Sequence, residues 1–463
     1  MTARRRRSVR LATAVSAVVC SALLGGCGAV PGTAADDETV TVMTWAPQDT
    51  EATNMPGMPA MAQAYARWVN SQGGVNGHRL RVLTCNDHND TVRAARCAGR
   101  AKKAGVAAVV GSYSQHGRSF MPALESAGIP YIGGYGVADQ EFTSPFSYPV
   151  NGGLPALVAG NGRQLAAGSC SHVSLVRPDT TVGDQLPRLI NAGLADGGAG
   201  PVTDVRAPEG ASEYTRQAYK ALEGARTYGA AEPGAGTAGG NAAGGDTAGG
   251  ETAGGETAGG ETAAQGADAK GPCVTAVLGG RTSTFFESFR QLRKDSPSVR
   301  TASVLGSVRQ SLVDQSGGPG SPLEGAFATG WYPPGDDPRW KPMKRVIEEH
   351  AFGDNRVDAS DPGVQTTWIA FTVLRQVLKS LEPGEAVTAK SVRHALDQGE
   401  PVDTGGLTPK LNWNYGNMLA ARDFPRIVNT MVTYQQVRDG RLKQVHDGFV
   451  DVERTLEAGA SES

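Results

Sequence analysis

Residue types able to do chemistry are thinly spread along this chain. Seven histidines are scattered over 463 residues. There is no HExxH pair for a metal-dependent hydrolase, no GxSxG elbow for a nucleophilic serine and no Walker loop for nucleotide phosphates. The densest polar cluster, Asp87-His88-Asn89-Asp90, has ligand-type atoms, but a turn followed by a helix N-cap explains it more simply. The chain therefore reads as a binding protein with no catalytic residue, cofactor or metal. What remains are short polar and aromatic sets that could recognise a small molecule: Trp45 and Gln48, Ser112-Tyr113-Ser114-Gln115, Tyr135-Gly136, Arg281-Thr282 and Trp331-Tyr332.

The elements that must position these sets show in the periodicity. "TVTVMTW" (39–45) alternates as a strand does, and Met61, Ala64, Tyr65 and Trp68 recur at the spacing of one buried helical face. Gly73 and Gly74 suit a helix C-cap, and Asn76-Gly77 a tight turn into "RLRVL". Asn89 and Asp90 can cap a helix over "TVRAARCAGRAKKAG", and "VAAVVG" is a run suited to a buried parallel strand. "SFMPALESAG" and "IPYIGG" repeat the cycle, which predicts an α/β fold with doubly wound parallel sheets. In such sheets ligands bind beyond the carboxyl ends of strands, where loops meet helix N-termini, and that rule selects the sets named above.

The order "NSQGGVNGHRLRVLTCND", "VAAVVGSYS", "AGIPYIGG" resembles the type I periplasmic binding proteins, in particular the branched-chain amino acid (Leu/Ile/Val-binding) receptors of ABC transporters. "HVSLVRPDTTVGDQL", "CVTAVLGGRTSTFFESFRQLR", "PLEGAFATGWYPP" and "VQTTWIAFTVLRQVLKSL" are similar to later parts of that family, in order. The resemblance implies two Rossmann-like lobes with parallel central sheets joined by a hinge. Residues 38–149 and 331–428 would form lobe 1, and 150–330 and 429–452 lobe 2. It also implies capture of a small polar molecule between the lobes by a monomeric receptor that delivers it to an ABC permease; an extracellular sensor using the same clamp is the alternative. Family receptors hold an amino acid's carboxylate with backbone N–H groups and Ser/Thr hydroxyls of lobe 1, and its ammonium with a lobe 2 carboxylate. This chain departs from that pattern. Gln115 replaces the usual serine beside Ser114, Val137 a threonine and Arg281 an aromatic residue, while the acidic position falls on or beside Val308 and Arg309. The expected ligand is therefore anionic or neutral rather than a branched-chain amino acid. Its polar groups would meet Ser112, Ser114 and Arg281, and its apolar body Trp45, Tyr135 or Tyr332.

At the N-terminus, "RRRRSVR", "LATAVSAVVCSALL" and "LGGC" predict a lipoprotein signal peptide over residues 1–26, with cleavage before Cys27, a lipid on its thiol and a tether over 27–37. The product would sit at the outer face of the cell membrane. The apolar run is shorter than the roughly 20 residues that span a bilayer. A formal charge of −2 argues against a nucleic-acid partner. Beyond Cys20 and Cys27, four cysteines allow three pairings, and no CxxC knuckle favours the rival metal site. Cys85 ends a strand whose following helix carries Cys97, and Cys170 and Cys273 each precede an apolar strand, so these two local meetings are favoured as disulfides. Residues 228–270, rich in a TAGGE repeat, hold almost nothing that can be buried and read as a disordered insertion; 453–463 read as a flexible tail. Deleting residues 232–266 should leave stability to thermal unfolding within about 1 kcal/mol, because loop-closure entropy changes slowly with length.

Overall fold

Gly73-Gly74-Val75-Asn76-Gly77 ends a helix and turns the chain within five residues. The Gly74 N–H donates to the Val69 carbonyl (3.0 Å), closing the helix end, and a Cβ at Gly74 would lie 2.2 Å from the His78 carbonyl oxygen. Asn76 (φ 48°) and Gly77 (φ 83°) then form a two-residue turn in the left-handed region, across which Val75 and His78 exchange two 2.9 Å backbone bonds.

The computed structural model describes residues 39–51, 53–227, 271–293, 299–304 and 307–461. The expected signal peptide, Cys27, the tether and the whole repeat insertion (228–270) lie outside the described residues. The first part of the chain runs β1 (Thr39–Trp45), α1 (Gly57–Ser71), β2 (Arg79–Cys85), α2 (Thr91–Lys103), β3 (Ala108–Val110), α3 (Gly117–Ala127), β4 (Tyr131–Ile132), α4 (Gln140–Thr143), β5 (Ser147–Tyr148). The second runs α5 (Gly153–Ala167), β6 (Cys170–Pro178), α6 (Leu186–Asp196), β7 (Thr203–Ala207), α7 (Thr215–Thr227), β8 (Gly271–Ala276), α8 (Thr282–Arg293), β9 (Arg300–Val304), α9 (Gln310–Gln315), β10 (Phe327–Gly330). The return adds α10 (Lys341–His350), α11 (Pro362–Ser380), α12 (Ala389–Gln398), β11 (Met431–Arg438), β12 (Arg441–Gln444), β13 (Val450–Asp451) and α13 (Glu453–Ser461).

Two sheets result. The first is parallel throughout, in the order β2-β1-β3-β4-β5, and α11 from the return segment packs against β3, β4 and α1. The second has the order β12-β11-β10-β9-β8-β6-β7; its strands are parallel up to β10, where β11 pairs antiparallel. Helix α5 leaves the first sheet and lies under the second. Buried Asn161 accepts from Thr275 (2.8 Å) and donates to Thr329 (3.2 Å), while Gln164 accepts from Thr329 (2.6 Å) and donates to the Gln435 carbonyl (2.8 Å). These bonds tie one helix to β8, β10 and β11 and leave its buried amides satisfied.

Asp90 caps α2, its carboxylate accepting from the Arg93 N–H at 2.9 Å. Cys85 at the end of β2 is bonded to Cys97 of α2, and Cys170 of β6 to Cys273 of the neighbouring parallel strand β8. One expectation is corrected. Residues 453–461 are not a loose tail but the helix α13, which packs against α6 with Leu456 fully buried and Thr455 donating to Asp196 (2.8 Å). A short amphipathic run after a β-turn carries too weak a periodic signal to separate from a frayed end, and burial of Leu456 and Ala460 decides it.

Cys85→Ser or Cys170→Ser should each lower the urea unfolding free energy by about 2–5 kcal/mol, the usual cost of losing a native bridge. Leu456→Ala should cost about 2–5 kcal/mol in the same assay, where a solvent-exposed tail would show no change.

Candidate functional site

The strand ends of both sheets face one cleft, a hollow of about 260 Å³ lined from both sides. A second hollow of about 790 Å³ beside α8 and β9 is bounded by residues 283–324 alone, so nothing held there would touch the first sheet. The cleft is the candidate site because a molecule in it contacts both.

One wall is aromatic. Tyr113 from the loop after β3, Tyr135 from the loop after β4 and Trp331 from the end of β10 form a chain of edge-on contacts, with centroids 5.1 Å and 5.0 Å apart. The indole N–H of Trp331 donates to the Gly153 carbonyl (2.9 Å), so the ring is held by the start of α5. Gln115 donates to the Tyr113 hydroxyl (3.2 Å), and burial pushes that phenol up to about 12, leaving it a neutral hydrogen-bonding group. Leu154 and Leu157, one turn apart on α5, and Val277, Leu278 and Val304 add an apolar floor.

The charges sit at defined places. Arg309, just before α9, pairs across the cleft with Asp361 (2.9 Å), the N-cap of α11. The other oxygen of Asp361 accepts from the Gly363 and Val364 N–H groups (2.7 and 3.2 Å), so this carboxylate is fully used. Burial raises its pKa above the ordinary carboxylate value, opposed by Arg309 and the two N–H groups. Arg281 donates from a terminal nitrogen to the Glu51 carbonyl on the opposite side, while its Nε is buried without a partner. Glu209 also lines the cleft, in an exposed position. Behind it, Arg177 at the end of β6 is 2 % exposed and holds Asp204 of β7 with two 2.8 Å bonds and Asp184 with one of 2.7 Å. That clamp fixes the 178–184 loop, which brings Thr180 and Val182 to the cleft.

Of the residues expected from the sequence to meet ligand, Tyr113, Gln115, Tyr135, Arg281 and Trp331 line this cleft. The others stand beside or behind it. Trp45 is fully buried against Phe120 and Tyr131, with centroids at 5.3 and 5.9 Å, inside the first sheet's core. Gln48 exchanges backbone bonds with the Asn86 side chain (3.0 and 3.1 Å). Ser112 accepts from the Trp45 N–H and Ser114 from the His116 N–H (3.1 and 3.3 Å), which turns both hydroxyls into the fold. Gly136 (φ 88°) shapes the loop by passing close to Gly153. Thr282 accepts from the Leu278 N–H (3.0 Å) at the start of α8. The Tyr332 hydroxyl is bonded to Asn151 (2.8 Å) and Thr366 (2.9 Å), away from the cleft. Val308, expected near the ammonium position, is buried in the second sheet's core, and only Arg309 reaches the cleft. The sequence reading missed Met55, Leu154, Leu157, Glu209, Tyr214 and Asp361. Asp361 could have been found, since Asp-Pro-Gly before an apolar helix is an N-cap signal, but its ion-pair partner lies 52 residues away.

The sequence profile described as periplasmic binding protein matches residues 49–261. No curated protein matches the chain. Solved structures do. A solute binding protein of an ABC transporter from Rhodopseudomonas palustris BisB5, in complex with 3,4-dihydroxy benzoic acid, is 13% identical with a TM-score of 0.63 over 92% of this chain and 99% of its own. A second R. palustris ABC transporter solute binding protein, in complex with 4-hydroxybenzoate, is 12% identical with a TM-score of 0.64 over 90% and 98%. A branched chain amino acid ABC transporter structure from Thermus thermophilus with bound valine is 13% identical with a TM-score of 0.62 over 89% and 97%. The matched family is one of periplasmic binding proteins, and these neighbours are described as ABC transporter proteins holding a small molecule. With two mainly parallel sheets facing one cleft, a family profile over residues 49–261 and solved neighbours aligned over about nine-tenths of its length, the chain has the type I periplasmic binding protein fold.

Proposed function

We propose that this protein is an extracytoplasmic solute-binding receptor that captures a small organic acid with an aromatic or apolar body and delivers it to an ABC importer, tethered to the membrane by a lipid on Cys27. The observation that carries this reading is the cleft itself: an aromatic wall of Tyr113, Tyr135 and Trp331 facing Arg281, whose Nε is buried without a partner. A buried guanidinium nitrogen lacking an acceptor favours a carboxylate, and edge-on aromatic walls favour a flat ring or apolar chain. Two neighbours of the same fold hold hydroxylated benzoates, which agrees with that chemistry. Ligand touching both sides favours closure only through the contacts it gains there.

Free amino acids fit less well. The cleft's carboxylates are Asp361, already occupied by Arg309 and two N–H groups, and Glu209, which is exposed. A buried ammonium would lack a buried, free partner, at a cost of several kcal/mol.

Calorimetry on the protein beginning at Cys27 should show micromolar binding of 4-hydroxybenzoate or a related aromatic acid. Leucine, isoleucine and valine should bind more weakly than about 1 mM, that is, with less than about 4 kcal/mol of binding energy. Arg281→Gln should weaken the acid at least about tenfold, or about 1.4 kcal/mol. Micromolar affinity for any of the three amino acids would overturn the assignment of ligand class.

A further inference from the structure

We infer that Glu141 is a positioning residue for the ligand-facing loop, holding residues 136–138 through its ionised carboxylate, so that capture depends on the charge of one buried side chain outside the cleft. The inference rests on the cleft being the ligand site.

Glu141 lies in α4 and is 1 % exposed. Its Oε2 accepts from the Gly136 N–H, and its Oε1 accepts from the N–H groups of Val137 and Ala138, each at 3.0 Å. The loop wraps so closely that a Cβ at Gly134 would lie 1.9 Å from Oε2. Glu141 also accepts, at its own carbonyl, from the Ser147 hydroxyl (2.7 Å), which anchors α4 to β5. The stretch it grips carries Val137 and the adjoining Tyr135 into the cleft, and Tyr135 is the middle ring of the aromatic wall. Three backbone donors converge on one carboxylate. A carboxylate accepts all three as charge-assisted bonds, whereas the protonated acid accepts them only as weaker neutral bonds and adds an O–H that needs an acceptor of its own in a site of three donors.

Burial pushes the Glu141 carboxyl up to about 7, against the pull of the three N–H groups. The neighbouring groups that feel its charge are the phenols of Tyr113 and Tyr131, both raised by burial and neutral. Charged residues on adjoining elements point elsewhere: Arg426 donates from Nε to the Ser147 carbonyl and lies over the Tyr148 ring, with one terminal nitrogen buried and unpartnered, while Glu125 accepts from Ser144 and Asp139 from Gln185. Among the described residues no cation pairs with Glu141, so its ionisation is answered only by the loop.

Two consequences of opposite sign follow from this arrangement. The folded chain keeps this proton up to about pH 7, where the unfolded chain releases it at its ordinary 4.5. Between those values the folded state binds more protons, so this group's contribution to global stability falls as pH rises. The order of the loop, and ligand affinity with it, rises over the same range as the carboxylate forms.

The test uses the protein from Cys27 onward, between about pH 5.5 and about pH 8.5. Hydrogen exchange, corrected for intrinsic rates, reads the Gly136–Ala138 amides, and calorimetry with 4-hydroxybenzoate reads binding. In the wild type, amide protection and affinity should each rise about tenfold with pH, the scale of one charge-assisted hydrogen bond. Glu141→Gln should be flat with pH and weak in both. Glu141→Asp, which keeps the charge but draws it back by one methylene, should lose protection. Should the Gln variant not fold, the wild-type titration decides alone. Wild-type protection that stays level across the range, or a Gln variant that keeps the wild-type slope, would sink the inference. A loop that titrates while no aromatic acid binds would instead remove the ligand reading and leave Glu141's hold on the loop standing.

Discussion

Two sheets that share no strand are connected by the chain where it crosses between them, and the hydrogen bonds among those crossings are the constraint on which the cleft depends. Around residues 149–152, 331–332 and 429–430 the backbone leaves regular structure while buried, so its polar groups must find partners in one another or in the element ends beside them. Asn151 donates to the Tyr332 hydroxyl (2.8 Å), Asn429 to the Val150 carbonyl (3.0 Å), Thr433 to the Tyr332 carbonyl (2.8 Å) and the Trp331 indole to the Gly153 carbonyl (2.9 Å). Leaving one such buried group without a partner costs about 1–3 kcal/mol, so the crossings act as one unit rather than as three separate linkers.

The cleft inherits its geometry from that unit. Trp331 is both a crossing residue and a wall of the site, and it passes the position of the crossing on to Tyr135 and Tyr113 through edge-on ring contacts. The loops that complete the site are fixed by buried charges that never face ligand. Arg177 clamps the 178–184 loop between Asp204 and Asp184, and Glu141 gathers the N–H groups of 136–138. The Arg309–Asp361 pair plays a different part. Arg309 is 44% exposed, so the pair contributes about 0–1 kcal/mol and serves mainly to orient and neutralise Arg309 at the cleft.

This arrangement separates recognition from support. Aromatic rings, Gln115 and Arg281 line the cleft, while the first-sheet serines are turned inward to the Trp45 and His116 N–H groups. Under the proposed function, polar recognition by side chains therefore shifts toward the second sheet. The same shift explains why the first-sheet residue types alone suggested hydroxyl contacts that the structure assigns to loop support.

The order of elements was legible from the sequence because it rests on local signals. Period-2 and period-3.6 runs, the Asn76-Gly77 turn and the Asp90 cap each act within a few residues, and the disulfides followed from where each cysteine falls relative to its strand or helix. The rule that ligands meet strand ends also pointed to loops that border the cleft, and Tyr113, Gln115, Tyr135, Arg281 and Trp331 line it. What it could not tell was which way each side chain turns. Ser112 against Tyr113, or Trp331 against Tyr332, differ by one residue, and successive residues at a strand end face opposite sides. Which side is cleft and which is core depends on the partner across the sheet. Tyr332 turns to Asn151 and Thr366, and Trp45 to Phe120 and Tyr131, because those residues arrive from distant parts of the chain. Glu141, Asp361 and the α13 helix were decided the same way: each owes its role to burial or to a partner brought in by the tertiary fold, which no window of local sequence contains.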